Sequence, residues 1–231
     1  MRGHLLGLLL LAAPLAAQDE VATRTAGCNA GVGTDCARLA ELVMSGVGTP
    51  ADRPRAEQLS LRACDLGTPA GCTQVGRWLL GGLYLNNDPP RAVALFRRAC
   101  EAHDGNGCDE VARAYDEGTG VIPNAATANG YAERACTQGV ARACLRLGER
   151  CERGIGMFTN EARAAALYAR GCDLDEANSC VRLGKMYEEG RGVSWNEDRA
   201  VALYQKACYV GNNAACRLPL LVRSGVLLDP P

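Results

Sequence analysis

The chain has 231 residues, a net charge of −1 and a pI of about 6.2. This balance excludes a general electrostatic attraction to nucleic acid or to an anionic membrane surface. Its thirteen cysteines are the unusual feature of the composition, and their spacing indicates how the chain is organised.

The first seventeen residues have the layout of a secretory signal peptide, with cleavage expected after Ala17. Arg2 supplies a positive charge, an apolar run extends from Leu5 to Leu11, and small residues lead up to the cleavage point. The apolar run is too short to span a bilayer, and no other stretch approaches the roughly 20 apolar residues that a spanning helix needs. We therefore expect export to an oxidising compartment, periplasmic or extracellular, without stable membrane insertion after cleavage.

Twelve of the cysteines recur with a period of 36 residues. The first cysteines of the six periods are Cys28, Cys64, Cys100, Cys136, Cys172 and Cys208. A second cysteine follows eight residues later in each, at Cys36, Cys72, Cys108, Cys144, Cys180 and Cys216. A fixed period of about 20–50 residues is typical of a solenoid, whose units bury their apolar faces only against their neighbours.

The first predicted helix of each period ends just past the first cysteine. Small or apolar residues stand eight, five and one positions before that cysteine, and these spacings place them on one face of a helix. Three residues after the cysteine, a left-handed backbone is expected. Glycine occupies that position in four periods, and His103 and Asp175 replace it in the others. We therefore interpret His103 as a turn residue and not as a catalytic base.

The second predicted helix carries the second cysteine. In the first five periods it ends at a glycine that stands eighteen residues after the first cysteine. These glycines are Gly46, Gly82, Gly118, Gly154 and Gly190. The sequence thus predicts an all-α, right-handed solenoid of 36-residue helix–turn–helix units over residues 18–225, with residues 226–231 as a tail. Gln18 to Ala30 is expected to form only a short capping helix, and Pro219 onward a C-terminal cap.

The two cysteines of each period lie at the end of one helix and the beginning of the next, where their Cα atoms can come within the 4.4–6.8 Å that a disulfide needs. The predicted pairs are Cys28–Cys36, Cys64–Cys72, Cys100–Cys108, Cys136–Cys144, Cys172–Cys180 and Cys208–Cys216. In an exported protein such pairs favour disulfides over metal ligands. With one histidine after the signal segment, we expect no histidine zinc site, and we expect no cofactor.

These features resemble the Sel-1-like repeat, a relative of the tetratricopeptide repeat, and in particular the disulfide-bonded Helicobacter cysteine-rich protein family. The resemblance extends from about Val21 to about Leu221 and includes the segment from Leu183 to Gly190. It also rests on the paired cysteines and on the Arg-Ala pairs Arg55-Ala56, Arg91-Ala92, Arg163-Ala164 and Arg199-Ala200.

The resemblance implies a concave groove lined by the helix that carries the second cysteine. The candidate peptide-binding residues are Arg77, Asp109, Arg113, Glu149 and Lys185. Trp78, Leu80 and Leu145 are expected to add apolar contacts, although packing is the favoured interpretation for Trp78 and Trp195. The favoured function is an exported, non-enzymatic scaffold that holds a protein or an extended peptide in the groove.

Two alternatives belong to other classes. The resemblance also implies a β-lactam-binding protein or weak β-lactamase, but the serine enzymes need Ser-x-x-Lys and no mature serine has it (Ser45, Ser60, Ser179, Ser194, Ser224). The second alternative is a thiol-based assembly factor that uses the unpaired Cys151, with Arg150 and Arg153 lowering the pKa of its thiol. The favoured interpretation of Cys151 is a buried, inert thiol, because it occupies a position on the packed face of its helix.

Overall fold

The computed structural model describes residues 15–81 and 87–218, and these residues form helices connected by turns and loops. The helices within these ranges are α1 (Leu15–Asn29), α2 (Gly33–Ser45), α3 (Arg53–Asp65), α4 (Pro69–Gly81), α5 (Pro89–Glu101), α6 (Gly105–Glu117), α7 (Ala125–Thr137), α8 (Ala141–Arg153), α9 (Glu161–Asp173), α10 (Ala177–Glu189), α11 (Glu197–Tyr209) and a terminal 3-10 helix (Asn213–Arg217). Each odd-numbered helix has a first cysteine as its penultimate residue, and each even-numbered helix has a second cysteine as its fourth residue. This alternation confirms the predicted all-α repeat architecture.

The chain forms two compact units, Met1–Asn87 and Asp88–Pro231. In the described part of each unit, every helix packs against the next one along the chain. In the second unit the odd helices are also joined to one another: Arg134 donates from α7 to the carbonyl of Cys100 on α5 (3.0 Å), and Arg170 donates from α9 to the carbonyl of Cys136 on α7 (2.9 Å). These guanidinium groups add a second donor to carbonyls at the ends of the preceding odd helices, which also accept hydrogen bonds from the backbone N–H groups of His103 and Gly139 in the turns.

Five odd helices begin with the same cap. A short polar side chain at the position before the helix accepts a hydrogen bond, at 2.8–3.1 Å, from the backbone N–H three residues on. The capping residues are Asp52, Asp88, Asn124, Asn160 and Asn196. Such caps fix where a helix starts, so the loop length is set once in every period.

Left-handed turns end the helices as predicted. His103 and Asp175 have φ values of 63° and 61°, in the same region as the four glycines at the equivalent positions. Glycine with a φ of 68–74° also follows α2, α6, α8 and α10. The fifth predicted glycine, Gly82, lies outside the described residues.

Disulfides join consecutive helices. The six pairs are Cys28–Cys36, Cys64–Cys72, Cys100–Cys108, Cys136–Cys144, Cys172–Cys180 and Cys208–Cys216, with Cα–Cα separations of 4.5–5.0 Å. Five of them link an odd helix to the following even helix, and the sixth links α11 to the terminal 3-10 helix. Each covalent link therefore crosses a tight turn, where it holds the angle between two helices.

Small residues next to the cysteines are matched in volume across these turns. A Cβ atom on Gly171, the residue before Cys172, would collide with the hydroxyl of Ser179 on the next helix. At the equivalent pair in α5 and α6 the order is reversed, and a Cβ atom on Gly107 would lie 2.6 Å from the Cβ of Ala99. The disulfide fixes the distance between the two helices. The residue before one cysteine must therefore be small enough to fit the residue before the other.

The sequence predicts a cap at each end of the chain. At the N-terminal end, α1 extends through the segment predicted to form a short capping helix, from Gln18 as far as Asn29, and it also includes Leu15 to Ala17, which precede the expected cleavage point. Most of the predicted signal peptide, and the predicted cap from Pro219 onward, lie outside the described residues. Among residues 15–81 and 87–218, no helix combines the length and apolar character needed to cross a membrane.

Candidate functional site

The even helices of the second unit form one continuous surface. Ion pairs join successive even helices: Arg142 Nε on α8 lies 2.7 Å from Asp109 Oδ2 on α6, and Arg182 Nη2 on α10 lies 2.9 Å from Glu149 Oε1 on α8. Helix α8 also packs directly against α10. A partner that lies across these helices would therefore contact all three of them.

Three charged side chains occupy the same register position on this surface. Arg113 on α6, Glu149 on α8 and Lys185 on α10 each stand thirteen residues after a first cysteine. Their side chains are 50%, 34% and 47% exposed, respectively. We call these three residues, together with the half-buried Leu145 and Val181 beside them, the even-helix face.

Arg113 forms one ion pair with a nearly buried partner: its Nη1 lies 3.3 Å from Glu110, whose side chain is 8% exposed. The other pairs of Arg113 and Lys185 lie on the surface, where Arg113 Nη2 is 3.4 Å from Glu117 and Lys185 Nζ is 3.6 Å from Glu189. Exposed pairs of this kind contribute about 0–1 kcal/mol, since water competes for both charges. A partner with a suitably placed charge can therefore exchange with them at little cost.

Asp109 does not belong to this exposed row. Its side chain is 0% exposed and accepts hydrogen bonds from both Arg142 and Arg146 on α8. A carboxylate that is buried and doubly paired is not available to a ligand, because breaking such a pair leaves an uncompensated charge in the interior. We therefore replace the expected role of Asp109 in peptide binding with a structural one: it positions α8 against α6.

The remaining predicted residues lie in the first unit. Arg77 stands on α4 with an exposed side chain, at the register position of the even-helix face. Its neighbour Trp78 is half-buried and packs against the core cluster that contains Cys28 and Cys36. Packing is therefore the role of Trp78, as the sequence favoured. Leu80 is half-buried.

Two carboxylates at the far end of the even helices are engaged by tyrosines. The hydroxyl of Tyr168 donates to Glu152, and that of Tyr204 donates to Glu188 over 2.6 Å. Burial, and then the neighbouring carboxylate, raise the pKa of both tyrosines above the ordinary value of 10.0. The two hydrogen bonds fix the packing of an odd helix on an even helix. The row of Arg113, Glu149 and Lys185, nearer the middle of the even helices, remains accessible.

Cys151 is buried and chemically protected. Cys151 is 0% exposed, and its Sγ lies 3.2 Å from the Sδ of Met157. Burial raises the pKa of its thiol. The suggestion that Arg150 lowers this pKa is wrong, because the Arg150 guanidinium donates to Asp116 (2.5 Å) and to the carbonyl of Ala125 (3.0 Å). A raised pKa and the lack of access to solvent both disfavour thiol chemistry at this position.

Sequence reasoning missed the exposure of three apolar residues in the loops that follow even helices. Ile122, Phe158 and Trp195 are 87%, 96% and 65% exposed. Each stands one or two residues before a capping asparagine, and that position is the signal that would have found them. Trp195, for which packing was the favoured interpretation, instead directs most of its surface to solvent.

Two solved structures of similar proteins share this architecture, and a third similar protein aligns over part of the chain. The chain aligns over 88% of its length with c5321, a protective antigen of uropathogenic Escherichia coli strains that displays an SLR fold, at 25% identity and a TM-score of 0.78. It spans 44% of the length of that antigen. A Sel1 repeat protein from Oxalobacter formigenes is 19% identical with a TM-score of 0.70, and the alignment covers 92% of each chain. Helicobacter pylori cysteine rich protein B is 29% identical over 60% of this chain and 99% of its own, with a TM-score of 0.47.

A search of curated proteins found no match. The model of the Sel1 repeat, by contrast, matches five consecutive segments, residues 35–68, 69–104, 106–140, 141–176 and 177–212. Each segment contains most or all of an even helix and the odd helix that follows it, so the disulfides from Cys64–Cys72 to Cys172–Cys180 join one repeat to the next. Since these five segments make up most of the sequence, the chain belongs to the Sel1 repeat family.

Proposed function

We propose that this protein is an exported, non-enzymatic scaffold that binds a partner protein or an extended peptide on its even-helix face. The observation that carries the proposal is the row formed by Arg113, Glu149 and Lys185, exposed at one register position on three successive even helices. Repeat arrays typically use such extended surfaces to hold partners. No observation on the described residues favours the β-lactam alternative, so the scaffold is our single proposal.

The spacing of the row suggests the form of the bound segment. Packed helices lie on the order of 10 Å apart. A polyproline II segment advances about 3.1 Å per residue with three residues per turn, so side chains three apart share one face and lie about 9 Å from each other. The signs along the row are positive, negative and positive. The complementary segment therefore carries acidic, basic and acidic residues at intervals of three.

Export is supported by the signal-peptide layout of residues 1–17 and by the six disulfides, which persist in oxidising compartments. Expression of the full chain followed by intact-mass measurement tests this part. Recovery outside the cytoplasm of a protein that begins at Gln18 is the expected result. Accumulation of the uncleaved chain in the cytoplasm would contradict it.

The two lysines of the chain allow a direct test of the binding face. Lys185 lies on an even helix and Lys206 on an odd helix, and each has one surface ion pair, with Glu189 and Asp175 respectively. Amine-reactive footprinting in the presence of the synthetic peptide Glu-Pro-Pro-Arg-Pro-Pro-Glu should reduce the labelling of Lys185 and leave that of Lys206 unchanged. Equal protection of both lysines, or of neither, would contradict the proposal.

Charge reversal provides the second test. Lys185→Glu should weaken the binding of that peptide by at least about fivefold, the effect of about 1 kcal/mol, whereas Lys206→Glu should not change it. The reversed peptide Arg-Pro-Pro-Glu-Pro-Pro-Arg serves as the control for non-specific association. Calorimetry that finds equal affinity for both peptides would show that the charged row does not select a partner.

A further inference from the structure

One disulfide differs from the others in its access to solvent. The ten cysteines of the first five pairs are 0–5% exposed. Among the described residues, by contrast, Cys216 is exposed and Cys208 is half-buried. The Cys208–Cys216 disulfide therefore lies at the surface of the described residues, whereas the five internal disulfides are buried.

The difference follows from the one-dimensional order of the array. Cys100 and Cys108 lie in a core cluster with Ala135 and Ala143 of the following helices. In a repeat array each unit is covered only by its neighbours. The 3-10 helix that carries Cys216 is the last described element, and no following repeat covers it within the described residues.

We infer that Cys208–Cys216 is a site of thiol–disulfide exchange with an external dithiol, such as the reduced form of a thioredoxin-fold oxidoreductase. A thiolate of the dithiol attacks Sγ of Cys216, a new S–S bond forms, and the Cys208–Cys216 bond breaks. The electron pair goes to Sγ of Cys208, which takes a proton from water. The second thiol of the dithiol then displaces Cys216, and the dithiol leaves as its own disulfide.

Exchange at this site controls access to the next disulfide. Cys172 and Cys180 are buried in a cluster with Ala207 and Ala215, and Leu218 packs against the same cluster. Ala215 is adjacent to Cys216, so the terminal disulfide holds this cover in place. Reduction therefore begins at Cys208–Cys216 and proceeds to Cys172–Cys180 only after the cover has loosened, since a buried sulfur must first be exposed by local opening.

Timed partial reduction of the full-length oxidised protein tests this order. The protein is treated with limiting dithiothreitol, quenched with iodoacetamide and mapped by peptide mass spectrometry. Alkylation of Cys208 and Cys216 should appear at least about tenfold faster than that of any internal pair. Alkylation of an internal pair at the same rate, or earlier, would overturn the proposal.

A trapping experiment identifies the attacked sulfur. A dithiol oxidoreductase whose resolving cysteine is replaced by serine should form a mixed disulfide on Cys216. A mixed disulfide on a cysteine of any internal pair would count against the site. The double variant Cys208→Ser/Cys216→Ser should lose the fast phase of reduction, and the matched variant Cys136→Ser/Cys144→Ser should keep it. The kinetics of the unaltered protein decide the question if either variant fails to fold.

Discussion

The ring of Tyr168 lies over the Cα of Gly148, in the space that a side chain would occupy: a Cβ atom there would be 2.5 Å from Cε1 of the ring. Tyr204 and Gly184 repeat the arrangement one period later, where the added atom would be 2.7 Å from the ring. One period earlier, both positions are alanine, and Ala112 and Ala132 are buried in one cluster. The odd and even helices therefore share a limited volume, which these repeats divide in two ways: glycine opposite tyrosine, or alanine opposite alanine.

Gly148→Ala should destabilise the protein by about 1–3 kcal/mol, because the added methyl group overlaps the Tyr168 ring in a packed interior. Urea unfolding of the oxidised protein measures this cost. The same substitution in a Tyr168→Ala background should cost much less, since the pair then matches Ala112 and Ala132.

The matched control for that prediction is Gly130→Ala. Gly130 is an exposed residue of α7, and an added Cβ atom would have no neighbour within 4 Å. Its replacement should stabilise the helix by about 0.5–1 kcal/mol. A similar loss of stability in both variants would show that the contact with Tyr168 is not the cause.

Stability should fall at alkaline pH because of Tyr168 and Tyr204. Their pKa is higher in the folded protein than in the unfolded chain, where it is about 10. The stabilisation is therefore complete below pH about 10 and is lost as the pH rises above it, by about 1.4 kcal/mol per pH unit for each tyrosine. Urea unfolding between pH 9 and 11.5 measures the slope. Tyr168→Phe/Tyr204→Phe should flatten it, and an unchanged slope would contradict the assignment.

Cys151 should resist alkylation in the folded, oxidised protein. Its thiol is buried and its pKa is raised, so both access and the fraction of thiolate are low. Iodoacetamide at pH 8 should leave it unmodified, and addition of denaturant without reductant should expose one thiol per chain. Rapid labelling of the folded protein would restore the hypothesis of a reactive thiol.

Arg150→Ala should cost about 3–5 kcal/mol in the free energy of unfolding. The substitution removes a buried guanidinium that binds Asp116 and Asn129, and it leaves their polar groups without that donor. Arg153→Ala, on the same helix but at an exposed position, should change stability by less than about 0.5 kcal/mol. Equal effects in the two variants would show that the buried contacts contribute little.

His103→Gly should stabilise the protein by about 1 kcal/mol, because His103 has a φ of 63° and glycine adopts this conformation without steric cost. Asp175→Gly should gain less, since it also removes the ion pair with Lys206 at 3.4 Å. Thermal unfolding of the oxidised protein compares the two. A loss of stability in His103→Gly would mean that the imidazole makes a contact that outweighs the strain.

The sequence by itself determined the repeat, the helix ends and the connection between helices. These features depend on local spacing. The bonded cysteines are eight positions apart in every pair. The residue three positions after the first cysteine adopts the left-handed conformation, even where it is His103 or Asp175 and not glycine. Local backbone geometry is encoded within a few residues, so a single period was enough to predict it.

Only the tertiary structure decided which polar residues face a partner. Asp109 and Arg113 are four residues apart on one helix, yet the first is enclosed by Arg142 and Arg146 and the second is half exposed. Helical spacing places both residues near one face, but it does not say what the next repeat, 33–37 residues away, places over them. Burial in a repeat array is set by the neighbouring unit, because each unit is covered by side chains that it does not itself contain.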